Sequence, residues 1–145
     1  MVDILLLRPE MVTRSILDIL NVLTPTQKLS LGEARNIITL QIKSNHYMYV
    51  LYEDGEPLAC GGFAIITKLG RNGSRDALIE EVVVRADKQR NGYGRKLIAF
   101  LLKKIEQYNV YAVWLNCSDE NVPFYKKCGF EKTGNQMKVY YGKGV

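Results

Sequence analysis

Residues 78–95, LIEEVVVRADKQRNGYGR, constrain this chain more than any other stretch. The β-branched run from Ile79 to Val84, interrupted by Glu80 and Glu81, predicts a buried strand. A polar link over residues 85–88 leads into Gln89-Arg90-Asn91-Gly92-Tyr93-Gly94. Leu97, Ile98, Leu101, Leu102 and Ile105 then recur at helical spacing, so a helix begins near Gly92. Strand, glycine loop and helix start together build an anion cradle. The glycines remove side chains that would block a close approach, and the unpaired first-turn amides point at the ligand. Such a cradle suits phosphate or pyrophosphate. A dinucleotide fingerprint would need a third glycine where Leu97 stands, and a triphosphate loop would end in Gly-Lys-Ser/Thr. Neither is present. The plain alternative for so short a pattern is a glycine turn that merely opens a surface helix.

The chain has 145 residues, 24% charged and 47% hydrophobic, which predicts one soluble globular domain spanning residues 1–145. Its net charge is +5, but the basic residues are scattered, with no run beyond Lys103-Lys104 or Lys126-Lys127. That scatter argues against nucleic acid as a partner and fits a small anionic ligand equally well. Cys60, Cys117 and Cys128 form no CxxC pair and sit among apolar residues, so they read as reduced core thiols. The only histidine, His46, has no cysteine or acidic cluster beside it in the sequence, and no metal is expected. The opening MVDILLLRPE lacks a basic region and a small-residue cleavage pattern, and no apolar run approaches the ~18 residues of a membrane span. A cytoplasmic protein without a membrane partner is expected.

Along the chain, residues 2–8 predict a strand, and residues 10–23 a helix on the spacing of Ile16, Ile19, Leu20 and Leu23. Ser30 with Glu33 is a capping box that opens a second helix to about Lys43. Strands follow over residues 46–52 and 57–68, joined by an Asp54-Gly55 hairpin turn, and then a polar loop over residues 71–75. After the long helix come a strand over 112–117, a short helix over 121–127 stopped by Gly129, and a closing strand over 137–141. Mixed strands and helices around a central sheet make an α/β (α+β) domain.

The Gln-x-x-Gly-x-Gly loop after a strand resembles the pyrophosphate loop of the GNAT superfamily of acetyl-CoA-dependent N-acyltransferases. EEVVVRADKQRNGYGRKLIAFL, NVYAVWLNCSDENVPFYKKCGF and GNQMKVYY narrow the resemblance to the glucosamine 6-phosphate N-acetyltransferases. Residues 121–130, Asn-Val-x-Phe-Tyr-x-Lys-Cys-Gly-Phe, carry it most specifically. The resemblance implies a mixed, splayed sheet flanked by about four helices, a homodimer, and acetyl transfer to glucosamine 6-phosphate on the way to UDP-N-acetylglucosamine. It also implies that acetyl-CoA lies along the backbone of Val82, Val83 and Val84. Its pyrophosphate would sit on Gln89, Arg90, Asn91, Gly92, Tyr93, Gly94 and Arg95, with Asn121 and Phe124 beside the acetyl arm. Tyr125 matches the family tyrosine beside the thioester sulfur. Glu80 and Glu81 match an acidic pair, Asn116 a third acidic position, and Thr24 and Lys68 substrate contacts.

Those residue types suit the chemistry. A protonated amine is no nucleophile, so a carboxylate must take its proton, directly or through water. Attack on a thioester makes an oxyanion that a free strand amide, Val83 or a neighbour, can receive. A tyrosine hydroxyl, pKa near ~10, can protonate the departing thiolate. Strand alternation predicts that only one of Glu80 and Glu81 enters a given cleft. Four positions depart from the family: Glu81 replaces Asp, Asn116 replaces an acid, Arg71 stands where His is usual, and Tyr140 aligns with a phosphate-reaching arginine. Lys138 or Lys143 could substitute for that arginine. All four departures lie around the acceptor site. Two other functions fit the same residues: an acetyltransferase for a protein or another small amine, and a catalytically silent CoA-binding module.

Overall fold

The computed structural model describes residues 1–142. Five strands form one sheet in sequence order: β1 (Val2–Leu6), β2 (His46–Glu53), β3 (Glu56–Thr67), β4 (Arg75–Val84) and β5 (Ala112–Trp114). The first four pair antiparallel and β5 joins β4 in parallel, so the sheet is mixed. The chain separates into two compact units, Met1–Leu115 and Asn116–Val145.

In the first unit, helices α1 (Arg14–Leu20) and α2 (Leu31–Lys43) share one sheet face. Ile16, Leu17, Ile19, Ala34 and Ile38 pack there with Met48 and Val50 of β2, Cys60 of β3 and Val83 of β4. Ser30 and Glu33 form the expected reciprocal capping box, satisfying two backbone amides that the helix cannot. Helix α4 (Tyr93–Ile105) buries Leu97, Ile98, Leu101 and Ile105, each worth roughly 1.5–3 kcal/mol of hydrophobic stabilisation. Its Phe100 ring meets Tyr49 of β2 edge-on at 5.3 Å, and Tyr49 stacks on Phe63 of β3 at 6.2 Å. The Asp54-Gly55 turn forms as expected, with φ of 51° and 82°, the left-handed pair that a tight hairpin requires.

Several elements differ from expectation in extent or type. The helix foreseen over residues 10–23 divides into a 3-10 turn (Pro9–Met11) and α1, because Thr13 takes an extended conformation and caps the amide of Ile16. The polar loop after β3 is a one-turn segment, α3 (Gly70–Gly73), in which Arg71, Asn72 and Gly73 all have positive φ. Strand β4 starts at Arg75, ahead of the apolar run that announced it.

In the second unit, α5 (Val122–Lys127) ends before Gly129, whose φ is 100°. The strand foreseen over 112–117 stops at Trp114, and residues 137–141 form no strand among the described residues. A strand needs a partner for its amides and carbonyls, and here Met137 and Tyr141 are 92% and 97% exposed. Lys143 lies outside the described residues. Cys60 is buried as expected, but Cys117 is exposed, standing beyond the end of β5, and Cys128 is half-buried. Among the described residues, no helix is long and apolar enough to cross a membrane.

Candidate active site

The site in the first unit grows from β4. On the side facing β5, β4 is paired only at Asp76, Ala77 and Leu78. From Ile79 to Val84 that edge has no strand partner among the described residues, so the backbone of Val82 and Val83 is available to a ligand, while the Val84 carbonyl accepts from the Gln89 side chain.

At the other edge, Glu80 stands opposite Gly62, and Val83 opposite Cys60. Three steps along β4 thus match two along β3, a bulge, and Glu81 sits inside it with φ 54°. The extra residue breaks strand alternation. Simple alternation therefore does not carry from Glu80 through Glu81, and the Glu80 charge bears on the Glu81 carboxyl. Burial pushes the Glu81 carboxyl above its ordinary range, the Glu80 charge adds to the rise, and His46 opposes it. Glu81 is half-buried, and a carboxylate of raised pKa is a stronger base than an exposed one.

Beyond β4, the loop folds on itself. The Gln89 side-chain amide donates to the Val84 carbonyl at 3.2 Å, and the Asn91 amide donates to the carbonyls of Lys88 and Gln89. Arg90 has φ 65°, and Gly92, at φ 83°, is the N-cap of α4. A Cβ added to Gly92 would meet nothing within 4 Å, so its glycine serves the turn and the open space above it. No side chain caps this helix end. The amides of Tyr93, Gly94 and Arg95 therefore face outward, and the glycine-lined cradle fits a pyrophosphate. The Tyr93 hydroxyl donates to Glu53 at the end of β2, fastening the loop to the hairpin.

Two of the candidate substrate residues lie together in the β3–β4 connection. Lys68 pairs with Asp76 at 3.0 Å, and the Arg71 guanidinium lies 4.0 Å over the Tyr111 ring. Thr24 is exposed in the α1–α2 connection, its amide bonded to the Leu20 carbonyl.

In the second unit, Tyr125 lies on α5 with Phe124 and Phe130 edge-on to its ring at 5.0 and 5.9 Å. Burial, with Cys117 and Cys128 adding to it, pushes the Tyr125 hydroxyl up to about 12, above the value expected for an exposed tyrosine. Asn116 and Asn121 are exposed, Phe124 is half-buried, and Lys138 lies 5.3 Å over the Tyr140 ring. No cluster of three or more metal-ligating side chains occurs among the described residues.

One residue near Glu81 escaped the sequence. His46, 35 positions earlier, opens β2, and no motif or spacing ties it to the acidic pair.

These features define an acyl-CoA-dependent transferase fold, and the chain belongs to the acetyltransferase (GNAT) family, whose model matches residues 14–130. Among individual proteins it is similar to the glucosamine 6-phosphate N-acetyltransferase of Schizosaccharomyces pombe, 47% identical over 67 residues, 46% of this chain and 60% of that one. It is also 36% identical over 83 residues to glucosamine 6-phosphate N-acetyltransferase 1 of Dictyostelium discoideum, covering 57% of this chain and 53% of that one. Both matches span between half and two thirds of the relative's length. The crystal structure of glucosamine-6-phosphate N-acetyltransferase from Arabidopsis thaliana superposes with a TM-score of 0.89 at 29% identity, covering 98% of this chain and 99% of that one.

Proposed function

We propose that this chain transfers the acetyl group of acetyl-CoA to the amine of glucosamine 6-phosphate, yielding N-acetylglucosamine 6-phosphate for UDP-N-acetylglucosamine synthesis. The observation that carries the reading is the build of β4 and the loop behind it, which combine an edge without a strand partner, a half-buried carboxylate and a glycine-capped helix start. The relatives' names support the acceptor. Acetyl-CoA, when bound, supplies an acyl group activated as a thioester.

The chain's own residues do the rest. The loop from Gln89 to Arg95 holds the pyrophosphate on its amides, and the backbone of Val82 to Val84 extends the sheet toward the pantetheine arm. Glu81 accepts the ammonium proton, directly or through water, so that the amine can attack. A free amide on the Val82–Val84 edge receives the oxyanion. In the second unit, Tyr125 supplies a hydroxyl for the departing thiolate, Asn121 and Phe124 line the acetyl arm, and Asn116 accepts hydrogen bonds from the sugar. A hydroxyl at about 12 stays protonated at working pH, but a thiol is the stronger acid, so complete transfer is uphill. Tyr125 thus works mainly by hydrogen bonding to the thiolate. Lys68, Thr24, Arg71 and Lys138 engage the sugar phosphate, the last from the partner subunit of a homodimer.

Acetyl-CoA consumption with glucosamine 6-phosphate as acceptor tests the reading. Activity should rise with the sugar phosphate and fall with Glu81→Gln. A protein-directed acetyltransferase would prefer a peptide, and a silent CoA-binding module would turn over nothing.

A further inference from the structure

Tyr93 is the first residue of α4 and stands between Gly92 and Gly94. The ladder of helical bonds begins only at Lys96, whose amide donates to the Gly92 carbonyl at 3.1 Å. A glycine on either side leaves the backbone around Tyr93 few local constraints, and Gly92 itself takes φ 83°. The direction of the first-turn amides must therefore be set from outside the loop. The Tyr93 hydroxyl donates to the Glu53 carboxylate, 40 positions earlier in the chain, and both residues are half-buried. Glu53 ends β2 opposite Val2 of β1 and Glu56 of β3, so strands hold its backbone on both sides. The other end of the loop is tied to the same hairpin. There the Arg85 amide donates to the Leu58 carbonyl at 2.7 Å, and the guanidinium donates to Glu56 at 2.6 Å. Glu56 is 61% exposed and shares the guanidinium with Asp87, so solvent weakens that second tie. A carboxylate near an anion cradle also runs against electrostatics, and a cradle built only for attraction would keep acids away.

We propose that Glu53 is a positioning residue for the pyrophosphate loop. By holding the Tyr93 hydroxyl it sets the direction in which the amides of Tyr93, Gly94 and Arg95 meet the cofactor. The proposal rests on the reading of residues 89–95 as the acetyl-CoA pyrophosphate site. With the hydroxyl held, Tyr93 is fixed relative to β2, and the amides keep one direction before the ligand arrives. Without that bond the Gly-Tyr-Gly segment samples other conformations, and binding must order it first. The cost falls on the pyrophosphate, which the amides meet, and spares the pantetheine arm along Val82 and Val83.

The test compares the wild type with Glu53→Ala, Glu53→Gln, Tyr93→Phe and the double variant Glu53→Ala/Tyr93→Phe. Calorimetry measures CoA affinity, and kcat/KM is measured with acetyl-CoA and with S-acetylpantetheine, a thioester that lacks the pyrophosphate. Glu53→Ala should weaken CoA binding roughly 3- to 10-fold, the worth of one hydrogen bond, although loss of a negative charge would by itself strengthen it. With acetyl-CoA, kcat/KM should fall by the same factor, and with S-acetylpantetheine Glu53→Ala should stay within about 2-fold of the wild type. Tyr93→Phe should match Glu53→Ala in CoA affinity, and the double variant should bind no more weakly than either. Glu53→Gln keeps an acceptor oxygen and should recover most of the affinity. CoA affinity unchanged or raised in Glu53→Ala overturns the proposal. An equal loss with both thioesters also overturns it, since that marks a merely structural residue. A wild type that gains nothing from the pyrophosphate removes the cradle and the proposal together. If the wild type binds CoA but leaves glucosamine 6-phosphate unacetylated, the acceptor reading falls, and the CoA affinities alone decide the role of Glu53.

Discussion

The Lys68 ammonium lies 3.0 Å from the carboxylate of Asp76, a residue only 8% exposed at the start of β4. Lys68 is itself half exposed, so solvent screens the pair and limits its worth. The same lysine is a candidate for the sugar phosphate, and the two roles are separable. Lys68→Met leaves Asp76 without its partner and should cost about 1 kcal/mol in a denaturant titration. It should also raise KM for glucosamine 6-phosphate about 10-fold, the typical worth of a charge-assisted phosphate contact. Adding Asp76→Asn should restore stability and leave KM high. A KM that recovers with stability would assign Lys68 to structure alone.

Gly92 caps α4 at φ 83°, a conformation that costs a residue with a Cβ roughly 1 kcal/mol. There is room for the methyl group itself, so the strain falls on the backbone. Gly92→Ala should lower stability by about that amount and weaken acetyl-CoA binding several-fold by calorimetry as the amides tilt. Undiminished binding would place the pyrophosphate elsewhere.

What the sequence made legible was local. The glycine loop, the Ser30–Glu33 capping box and the Asp54-Gly55 turn each depend on residues close together in the sequence, and each formed. The bulge at Glu81 depends on register between β3 and β4, about twenty residues apart, which alternation along one strand cannot reveal. A signal did exist: Gly61-Gly62 in mid-strand, opposite two glutamates, marks a place where a strand commonly bulges. The nearness of His46 to Glu81 had no such signal, because it is set by three strands meeting. Residues 137–141 read as a strand from their composition, but composition supplies no partner for the backbone.

Tyr125→Phe keeps the ring between Phe124 and Phe130 and removes only the hydroxyl. It should lower kcat about 10²-fold and leave acetyl-CoA affinity within 2-fold. The wild-type hydroxyl is pushed up to about 12, so its neutral form persists through the alkaline range. The rate should therefore show no Tyr125-dependent decline between about pH 7 and pH 10, because the functional form is lost only as pH approaches the raised pKa. An unchanged kcat in Tyr125→Phe would make the residue a packing aromatic.

Met137, Val139, Tyr140 and Tyr141 are all more than 70% exposed, a run of apolar side chains suited to a self-complementary contact. Light scattering should report twice the 16.5 kDa chain mass. Val139→Asp with Tyr141→Asp should return it to a monomer with reduced activity toward the phosphorylated sugar. A wild-type monomer at assay concentration contradicts the dimer and the role of Lys138 with it.

The central claim is acetyl transfer to a phosphorylated amino sugar, and its most direct test is acceptor discrimination. Initial rates of acetyl-CoA consumption should be measured with glucosamine 6-phosphate, glucosamine and a panel of peptides with free N-termini and lysines. The account predicts kcat/KM for glucosamine 6-phosphate at least about 10-fold above glucosamine, since a charge-assisted phosphate contact is worth roughly 1.5–3 kcal/mol, and no turnover of peptides. Equal kcat/KM for the two sugars, or a peptide preferred to both, would contradict it.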